Sequence, residues 1–468
     1  MLFNSYPFLG LVILTMVAYY LPPLRDWQRH TLIVASFVFY AANQPWLLLL
    51  LVCSIAVNVV TSHFVYHGSP PRRTTYAALG VGLNLAVLAF FKYSPLFGKS
   101  FFSGTGSVGE FLVSIPLPIG ISFFTFQGIT LLVDTLRVQE ERAEFALPHG
   151  FFGRHAVNTT LFIAFFPQLV AGPIVKAHDF VPQIVPKFFR DIDWDACFRA
   201  LVTGYFLKMV VADNLKDHTF WIARQSFKIA PGTDLLVMLF GYSIQIFADF
   251  AGYSLIAIGC ASLFGYRLPQ NFNFPYISRS FSEFWRRWHI SLSSFLREYL
   301  YFPLGGNRRG GVRTYVNLMV VMLLGGFWHG AAWSYMVWGG CHGVALAVER
   351  FCGRYVTLPD LPLVNALRML GVFVFVTAAW LLFKLPDFSQ AVDFARAVEA
   401  NMGLPPDLQR CFFIAAYSVP VILWHLHHLW GKPVLARVPG LAAVAYGFML
   451  FLIVTNSGAP GAFVYFQF

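Results

Sequence analysis

Charged residues are scarce in this chain. Asp, Glu, Lys and Arg together make up 12% of the 468 residues, and hydrophobic residues make up 57%. Soluble domains carry roughly 25% charged residues. The composition therefore argues against an ordinary soluble enzyme and predicts an all-α, polytopic membrane protein, because a helix satisfies its own backbone hydrogen bonds in lipid.

Several motifs of soluble enzymes are missing as well. The six cysteines form no C-x-x-C pair, so we predict neither a zinc site nor a disulfide framework. The chain has no phosphate-binding Walker A loop and no Gly-x-Gly-x-x-Gly signature after a strand. It also lacks a Gly-x-Ser-x-Gly nucleophile elbow. We therefore expect no metal and no bound cofactor, and direct group transfer is favoured over a covalent enzyme intermediate.

Negative charge is the scarcer sign, which leaves a formal net charge of +11. The Lys and Arg residues are spread over short loops, so nucleic acid is not an expected partner. Positive cytoplasmic loops and attraction to anionic membrane lipids account for such a balance. The net positive charge is also compatible with a basic surface that binds a phosphate-bearing acyl donor.

Long apolar runs fill most of the chain. They predict about eleven transmembrane helices within a single integral membrane domain, residues 1–468. Some runs are short, and residues 386–402 have an amphipathic pattern typical of a helix lying at the membrane surface. We therefore expect re-entrant or amphipathic helices in addition to the spanning ones.

Residues 281–332 contain two histidines in contrasting surroundings. His289 lies in a charged, aromatic and Ser-rich segment, whereas His329 ends an apolar run and is flanked by Gly325, Gly326 and Gly330. An imidazole that exchanges protons near neutral pH is uncommon in a lipid-embedded region and indicates function. His329 is predicted to act as a general base beside a thin substrate; the alternative is a buried structural histidine.

Residues 284–299 have helical spacing. As a helix they place Trp285 and His289 on one aromatic and apolar face, and Arg286 on another. This pattern is typical either of an amphipathic helix at the membrane interface or of a re-entrant helix that lines a cavity. In the second case the arginines match the geometry of phosphate groups.

A second polar pair lies inside an apolar run. Gln245 and Asp249 are four residues apart, so they share one face of a helix. A carboxylate in such a run is expected to face a partner or a cavity. A structural hydrogen bond between helices is the equally weighted alternative.

Two segments together carry a resemblance to a known family. They are FWRRWHISLSSFLREYLYFPLGG (residues 284–306) and GGFWHGAAW (residues 325–333). The combination resembles the membrane-bound O-acyltransferases, and within them the branch that serves bacterial alginate O-acetylation. Supporting segments are FFPQLVAGPI (165–174), FADFAGYSLIAIG (247–259), LPQNFNFPY (268–276) and the terminal YFQF (465–468).

The resemblance implies a bundle of helices around a funnel that reaches a thin central wall. It implies an O-acetyltransferase of the bacterial inner membrane that takes acetyl from a cytoplasmic thioester, with acetyl-CoA as the expected donor. The acetyl group would pass to periplasmic partner proteins that modify an exopolysaccharide, alginate in the first place.

The resemblance also suggests roles for individual residues. His329 matches the essential histidine of the family, and His289 matches its second recurrent position. We expect His329 to act as the base and His289 to assist in positioning the acceptor or donor. The residues expected to line the cavity are Asp249, Gln245, Trp285, Arg286, Trp328 and Asn271.

Other functions stay open at this point. Similar subunits serve the acetylation of cellulose and of peptidoglycan, and the D-alanylation protein of teichoic acids shares the histidine motif but uses a carrier-protein thioester. From other classes, the chain could be a transporter or proton pathway through His329, His289 and Asp249. A non-catalytic membrane scaffold is the third possibility, and it predicts that His329 can be replaced without loss.

Overall fold

The computed structural model describes residues 1–42, 44–102, 105–139, 151–170, 172–385, 387–431, 440–459 and 461. Within these ranges every regular element is a helix, which confirms the all-α prediction. The terminal YFQF motif lies outside the described residues. So does part of the FFPQLVAGPI segment, at position 171.

The chain forms two compact units. The first comprises Met1–Leu201 and Ser254–Pro269, and the second comprises Val202–Tyr253 and Gln270–Phe468. The predicted single integral membrane domain over the whole chain stays a prediction.

The first unit contains the N-terminal α-helices of the chain. They are α1 (Tyr6–Tyr20), α2 (Gln28–Ala41), α3 (Leu47–His67), α4 (Pro70–Phe102), α5 (Gly106–Ser114), α6 (Ile121–Gln139), α7 (Phe152–Ala164), α8 (Phe166–Leu169), α9 (Ala177–Phe180) and α10 (Trp194–Tyr205), whose last residues belong to the second unit. Short 3₁₀ turns span Pro22–Trp27, Val181–Gln183 and Phe189–Asp191.

The second unit contains the histidine motifs. Its helices are α11 (Asp213–Thr219), α12 (Gly232–Leu263), whose last turns belong to the first unit, α13 (Phe281–Arg287), α14 (Ile290–Leu296), α15 (Gly311–His329), α16 (Trp333–Cys352), α17 (Pro362–Lys384), α18 (Phe388–Ala400), α19 (Leu408–Leu426) and α20 (Leu441–Thr455). Turns of 3₁₀ helix span Phe220–Ala223, Gln225–Ile229 and Pro275–Ile277, and π-helical turns span Phe206–Ala212, Arg297–Tyr301 and His427–Gly431.

Seven helices of the described ranges are long and apolar enough to cross a membrane. They are α3, α4, α6, α12, α15, α17 and the segment Leu408–Trp430. The segments Tyr6–Tyr20 and Pro22–Ala41, which contain α1 and α2, pass the same test together but are bent by 104° at the break between them. The prediction of a multi-pass membrane protein is confirmed, whereas the count of about eleven spans is not. The amphipathic segment near residue 390 forms α18.

Helices α15 and α16 form a hairpin held together by glycines. A Cβ atom on Gly326 would collide with the carbonyl oxygen of Tyr335, and one on Gly339 would collide with the carbonyl oxygen of Met322. Small residues at such positions let helix backbones approach closely in a membrane. The close approach fixes His329, the last residue of α15, at the bend of the hairpin.

Candidate active site

The His329 imidazole lies in an aromatic cage. The residue is 4% exposed, and its ring centroid lies 5.3 Å from that of Trp338, 5.0 Å from that of Phe383 and 5.0 Å from that of Trp328. Gly330 follows it, and a Cβ there would collide with the Tyr335 ring. Only glycine therefore fits at position 330.

The helix expected over residues 284–299 is wrong as a single element. It breaks into α13 and α14 at His289, which has a left-handed backbone with φ of 43°. A non-glycine residue in this conformation costs about 1–3 kcal/mol and persists only where its surroundings enforce it. Here the enforcing residue is Asn271, whose carbonyl oxygen accepts the Ile290 N–H at 2.9 Å.

The Asn271 side chain also fixes the tautomer of His289. Its Oδ1 accepts the backbone N–H of Ser291 at 3.3 Å and the Ser291 hydroxyl at 2.7 Å. A backbone N–H can only donate, so this atom is the amide oxygen. The His289 Nδ1, 3.1 Å from the same oxygen, must therefore carry the proton and donate it. The lone pair of the ring is then on Nε2.

His289 is fully buried, with 0% exposure. Burial lowers the pKa of its imidazole to about 3, because the charged form is poorly solvated there. The ring packs edge-on against Phe250, with centroids 4.6 Å apart. His289 is therefore neutral at physiological pH.

The two imidazoles face one another. Their ring centroids are 6.5 Å apart, and the Trp328 ring contacts both, at 6.2 Å from His289 and 5.0 Å from His329. A catalytic hydrogen bond spans about 2.6–3.2 Å between heavy atoms. One small polar group can therefore contact both rings.

A cavity of about 300 Å³ leads to His329. Gly325, Gly326 and Trp338 line its inner end beside the histidine. Its lining along α15 extends from Leu318 to His329, which is about 16 Å at 1.5 Å per residue. The cavity is therefore long and narrow.

Two arginines line the same cavity away from His329. Arg286 and Arg297 are both exposed. Arg286 donates to the Ser282 hydroxyl at 3.0 Å, and no carboxylate of the described residues forms an ion pair with it. Arg297 lies 3.7 Å from the Glu298 carboxylate, an exposed pair that water screens. Both guanidinium groups can bind a phosphate.

Two buried indole N–H groups lie in the wall of the cavity. The Nε1 atoms of Trp285 and Trp338 are buried and have no hydrogen-bond partner in the described part of the chain. Their rings are 5.7 Å apart, and Trp338 contacts the His329 ring. A buried donor without a partner carries an energetic cost that a substrate oxygen would remove.

The structure thus brings most of the predicted site residues together. His329, Trp285 and Arg286 line the cavity, Trp328 contacts both imidazoles, and Asn271 orients His289. The roles of these residues in catalysis stay predictions.

Gln245 and Asp249 do not line this cavity. The Gln245 Oε1 accepts a hydrogen bond from the Thr219 hydroxyl of α11. This is a structural hydrogen bond between helices, the alternative that the sequence left open. The Asp249 carboxylate accepts from Lys208 Nζ at 2.8 Å. Lys208 also donates to Asp213 at 2.7 Å, and all three side chains are at most 6% exposed.

The sequence pattern did not predict this buried ion triad of Lys208, Asp213 and Asp249. The available signal was Lys208 itself, a lysine inside the apolar run 206–212, because an ionisable residue in such a run requires a partner. Tyr253 contributes its ring face 5.3 Å from Lys208 Nζ. No group of His, Cys, Asp and Glu side chains in the described ranges has the arrangement of a metal site.

Comparison with known proteins agrees with this geometry. The sequence profile of the membrane-bound O-acyltransferase family matches residues 146–386. A protein of Azotobacter vinelandii named a probable alginate O-acetylase is 38% identical over 454 residues, which cover 92% of this chain and 86% of the relative. The peptidoglycan O-acetyltransferase of Helicobacter pylori is 37% identical over 85% of this chain and 78% of its own length.

A more distant relative shares a smaller part of the chain. The teichoic acid D-alanyltransferase of Bacillus subtilis is 28% identical over 58% of this chain and 69% of its own length. All three relatives are named as enzymes that transfer acyl groups. The chain therefore belongs to the membrane-bound O-acyltransferase family and is a multi-pass membrane acyltransferase.

Proposed function

We propose that the protein is an O-acetyltransferase of the bacterial inner membrane. The acetyl group that it transfers modifies a periplasmic exopolysaccharide, and alginate is the favoured acceptor. The protein takes acetyl from a cytoplasmic thioester, acetyl-CoA, and passes the group across the membrane to periplasmic partner proteins. One observation carries the proposal: His329 lines a cavity that also presents two arginines, and the ring of the tautomer-fixed His289 lies 6.5 Å from the His329 ring. The names of the relatives support acetyl as the group and alginate as the acceptor.

The reaction needs a base beside an activated carbonyl. As a hydroxyl oxygen attacks the thioester carbon, His329 takes the hydroxyl proton. The new C–O bond forms, the C–S bond breaks, and the departing thiolate takes the proton back from the imidazolium. General base catalysis of this kind typically contributes about 10²–10⁴-fold.

His289 serves as an acceptor rather than as the base. With its Nδ1 proton donated to Asn271, its Nε2 lone pair can accept the N–H of His329 and so orient the other His329 nitrogen towards the hydroxyl proton. The neutral state of the ring supports this role, because an imidazolium has no acceptor nitrogen.

The tetrahedral intermediate carries negative charge on the former carbonyl oxygen. The indole N–H groups of Trp285 and Trp338 belong to side chains that line the same cavity as His329, and they have no hydrogen-bond partner among the described residues, so they can stabilise this oxyanion. The loss of one such donor typically costs about 10²–10³ in kcat.

The donor end of the cavity suits a phosphorylated thioester. Arg286 and Arg297 supply guanidinium forks that match phosphate geometry. Coenzyme A and a carrier-protein phosphopantetheine both have this chemistry, and the acetyl donor is favoured because the O-acetyltransferase relatives are more similar than the D-alanyltransferase.

The test is a measurement of acetyl esters in cells that carry His329→Ala. Wild-type protein should restore acetylation to a strain without the gene, and the variant should lose it at normal membrane abundance. His427→Ala, a partly buried histidine outside the cavity, is the matched control and should behave as wild type.

Each outcome separates the open alternatives. Retained acetylation in the His329→Ala strain would support the scaffold and contradict the enzyme mechanism. Ester analysis of alginate, cellulose and peptidoglycan from the same strains identifies the acceptor. Loss of esters from peptidoglycan alone would replace alginate with the acceptor named for the Helicobacter pylori relative.

A further inference from the structure

A second and larger cavity lies on the other side of the α15–α16 hairpin. It is a groove of about 1450 Å³ whose walls come from α15, α16 and α17. Apolar side chains dominate it, including Leu323 of α15, Val344 of α16 and Val372 of α17. Val337, Val344 and Val348 are 40–54% exposed along it, so the groove is open at the surface that faces lipid.

Glycines leave space along the groove. Gly340 and Gly371 both line it. A Cβ on Gly371 would meet no atom within 4 Å, and one on Gly340 would meet only a Leu323 methyl at 3.4 Å. On α16 the lining extends from Trp333 to Cys352, about 28 Å at 1.5 Å per residue. Half of a bilayer hydrocarbon core is about 15 Å deep, so an acyl chain of one leaflet fits lengthwise.

One end of the groove is basic. Arg279 and Arg368 lie there, and the Arg368 Nε donates to the Arg279 carbonyl oxygen at 3.0 Å. No carboxylate of the described residues forms an ion pair with Arg368. Arg279 pairs with Asp360 at 3.4 Å, but Asp360 is 84% exposed. Such a pair contributes little in water and can be exchanged for a phosphate.

The acidic residue at this end, Glu349, directs its carboxylate to a helix N-terminus. The Glu349 carboxylate accepts the backbone N–H groups of Phe281 and Ser282. It therefore caps the N-terminus of α13, where the helix dipole favours a negative charge. The basic end keeps two guanidinium groups for an anionic headgroup.

We propose that this groove binds one anionic membrane phospholipid. Its phosphate is bound by Arg368 and Arg279, and an acyl chain lies over Gly371 and Gly340. The charge of the basic end and the apolar length of the groove are complementary to such a lipid.

The lipid would lie close to the catalytic cavity. Phe375 of the groove wall contacts His342, with ring centroids 5.4 Å apart, and His342 contacts Trp338 at 4.8 Å. Trp338 in turn lines the cavity of His329. Phe375, His342 and Trp338 therefore form an aromatic wall between the two cavities. An acyl chain in the groove would pack on the Phe375 side of this wall, and the Trp338 side faces the acyl-transfer site.

The test uses native mass spectrometry of the full chain in detergent, titrated with phosphatidylglycerol or with phosphatidylcholine of identical chains. Wild-type protein should retain one phosphatidylglycerol in preference to phosphatidylcholine. Arg368→Gln should weaken phosphatidylglycerol binding about fivefold, the effect of one arginine on an anionic lipid, and should leave phosphatidylcholine unchanged. In Gly371→Leu the leucine side chain occupies the space of the acyl chain, so this variant should weaken the binding of both lipids.

The matched control for Gly371→Leu is Gly82→Leu on α4, which does not line the groove. A Cβ at Gly82, like one at Gly371, meets no atom within 4 Å. Leucine is the better helix former at both positions, so neither leucine variant should impair folding. Equal retention by wild type, Arg368→Gln and Gly371→Leu would overturn the proposal. A co-purifying polypeptide that is displaced by Gly371→Leu would also overturn it, in favour of a partner helix. Neither result depends on the acyl-transfer activity.

Discussion

His289 donates its Nδ1 proton to the side-chain oxygen of Asn271, eighteen positions earlier in the chain, at 3.1 Å. The same Asn271 accepts the first two backbone N–H groups of α14, those of Ile290 and Ser291, directly after the break between α13 and α14. One residue therefore sets both the position and the tautomer of an imidazole that faces His329. Asn271 is a positioning residue, since it acts through His289.

Asn271→Leu should lower acetyl transfer at least about tenfold, because His289 then loses its orientation and its fixed tautomer. The rate is measured in membrane vesicles with labelled acetyl-CoA, at matched protein abundance. A purely structural role would lower the amount of folded protein but leave the rate per folded molecule unchanged.

Ser291→Ala is the matched control for Asn271. It removes one donor to the Asn271 oxygen and leaves the His289 bond in place. We expect near wild-type rates for this variant. Equal losses for Asn271→Leu and Ser291→Ala would show that the hydrogen-bond cluster, rather than the His289 tautomer, matters.

The sequence identifies the candidate site residues better than it predicts their surroundings. His329 is recognisable because the glycines and aromatics around it are local in sequence. The break at His289 is not recognisable, because the helical spacing of residues 284–299 is intact and the break depends on hydrogen bonds donated to Asn271. The same holds for Asp249, whose partner Lys208 lies 41 positions away. Local patterns identify which groups are present, and long-range packing decides which groups meet.

The Lys208 triad should be a strong determinant of stability. Lys208→Met leaves the Asp213 and Asp249 carboxylates buried without their cation. Removing one partner from a buried ion pair typically costs about 3–5 kcal/mol. The expected result is a large fall in Tm, measured by fluorescence-detected size exclusion of the heated, detergent-solubilised protein.

Asp249→Asn is the informative comparison. The triad carries one positive and two negative charges, so this change leaves a balanced Lys208–Asp213 pair at 2.7 Å. The Tm should fall much less than with Lys208→Met. A larger loss from Asp249→Asn than from Lys208→Met would contradict the electrostatic explanation.

Gly339→Ala should destabilise the α15–α16 hairpin. The added methyl group would collide with the Met322 carbonyl oxygen, which belongs to a helix backbone and cannot move aside. Overpacking of this kind typically costs about 1–3 kcal/mol. We expect a lower Tm, and lower acetyl transfer because His329 lies at the bend of the hairpin.

The neighbouring residue provides the control for Gly339. In Gly340→Ala the methyl group meets only the Leu323 side chain at an ordinary 3.4 Å. This variant should keep the Tm of the wild type or exceed it slightly, since alanine is the better helix former. Similar losses at both positions would mean that helix flexibility, rather than close packing, is the role of these glycines.

Arg286→Gln should raise the KM for acetyl-CoA with little change in kcat. Arg286 lines the cavity away from His329, so it can bind donor phosphate without touching the reacting carbonyl. A hydrogen bond to a charged group is worth about 1.5–3 kcal/mol, so an increase of about tenfold or more is expected. Arg313→Gln, an exposed arginine outside the cavity, should leave the KM unchanged. A fall in kcat at constant KM would instead assign Arg286 to the transition state, because only an interaction absent from the bound donor acts on kcat alone.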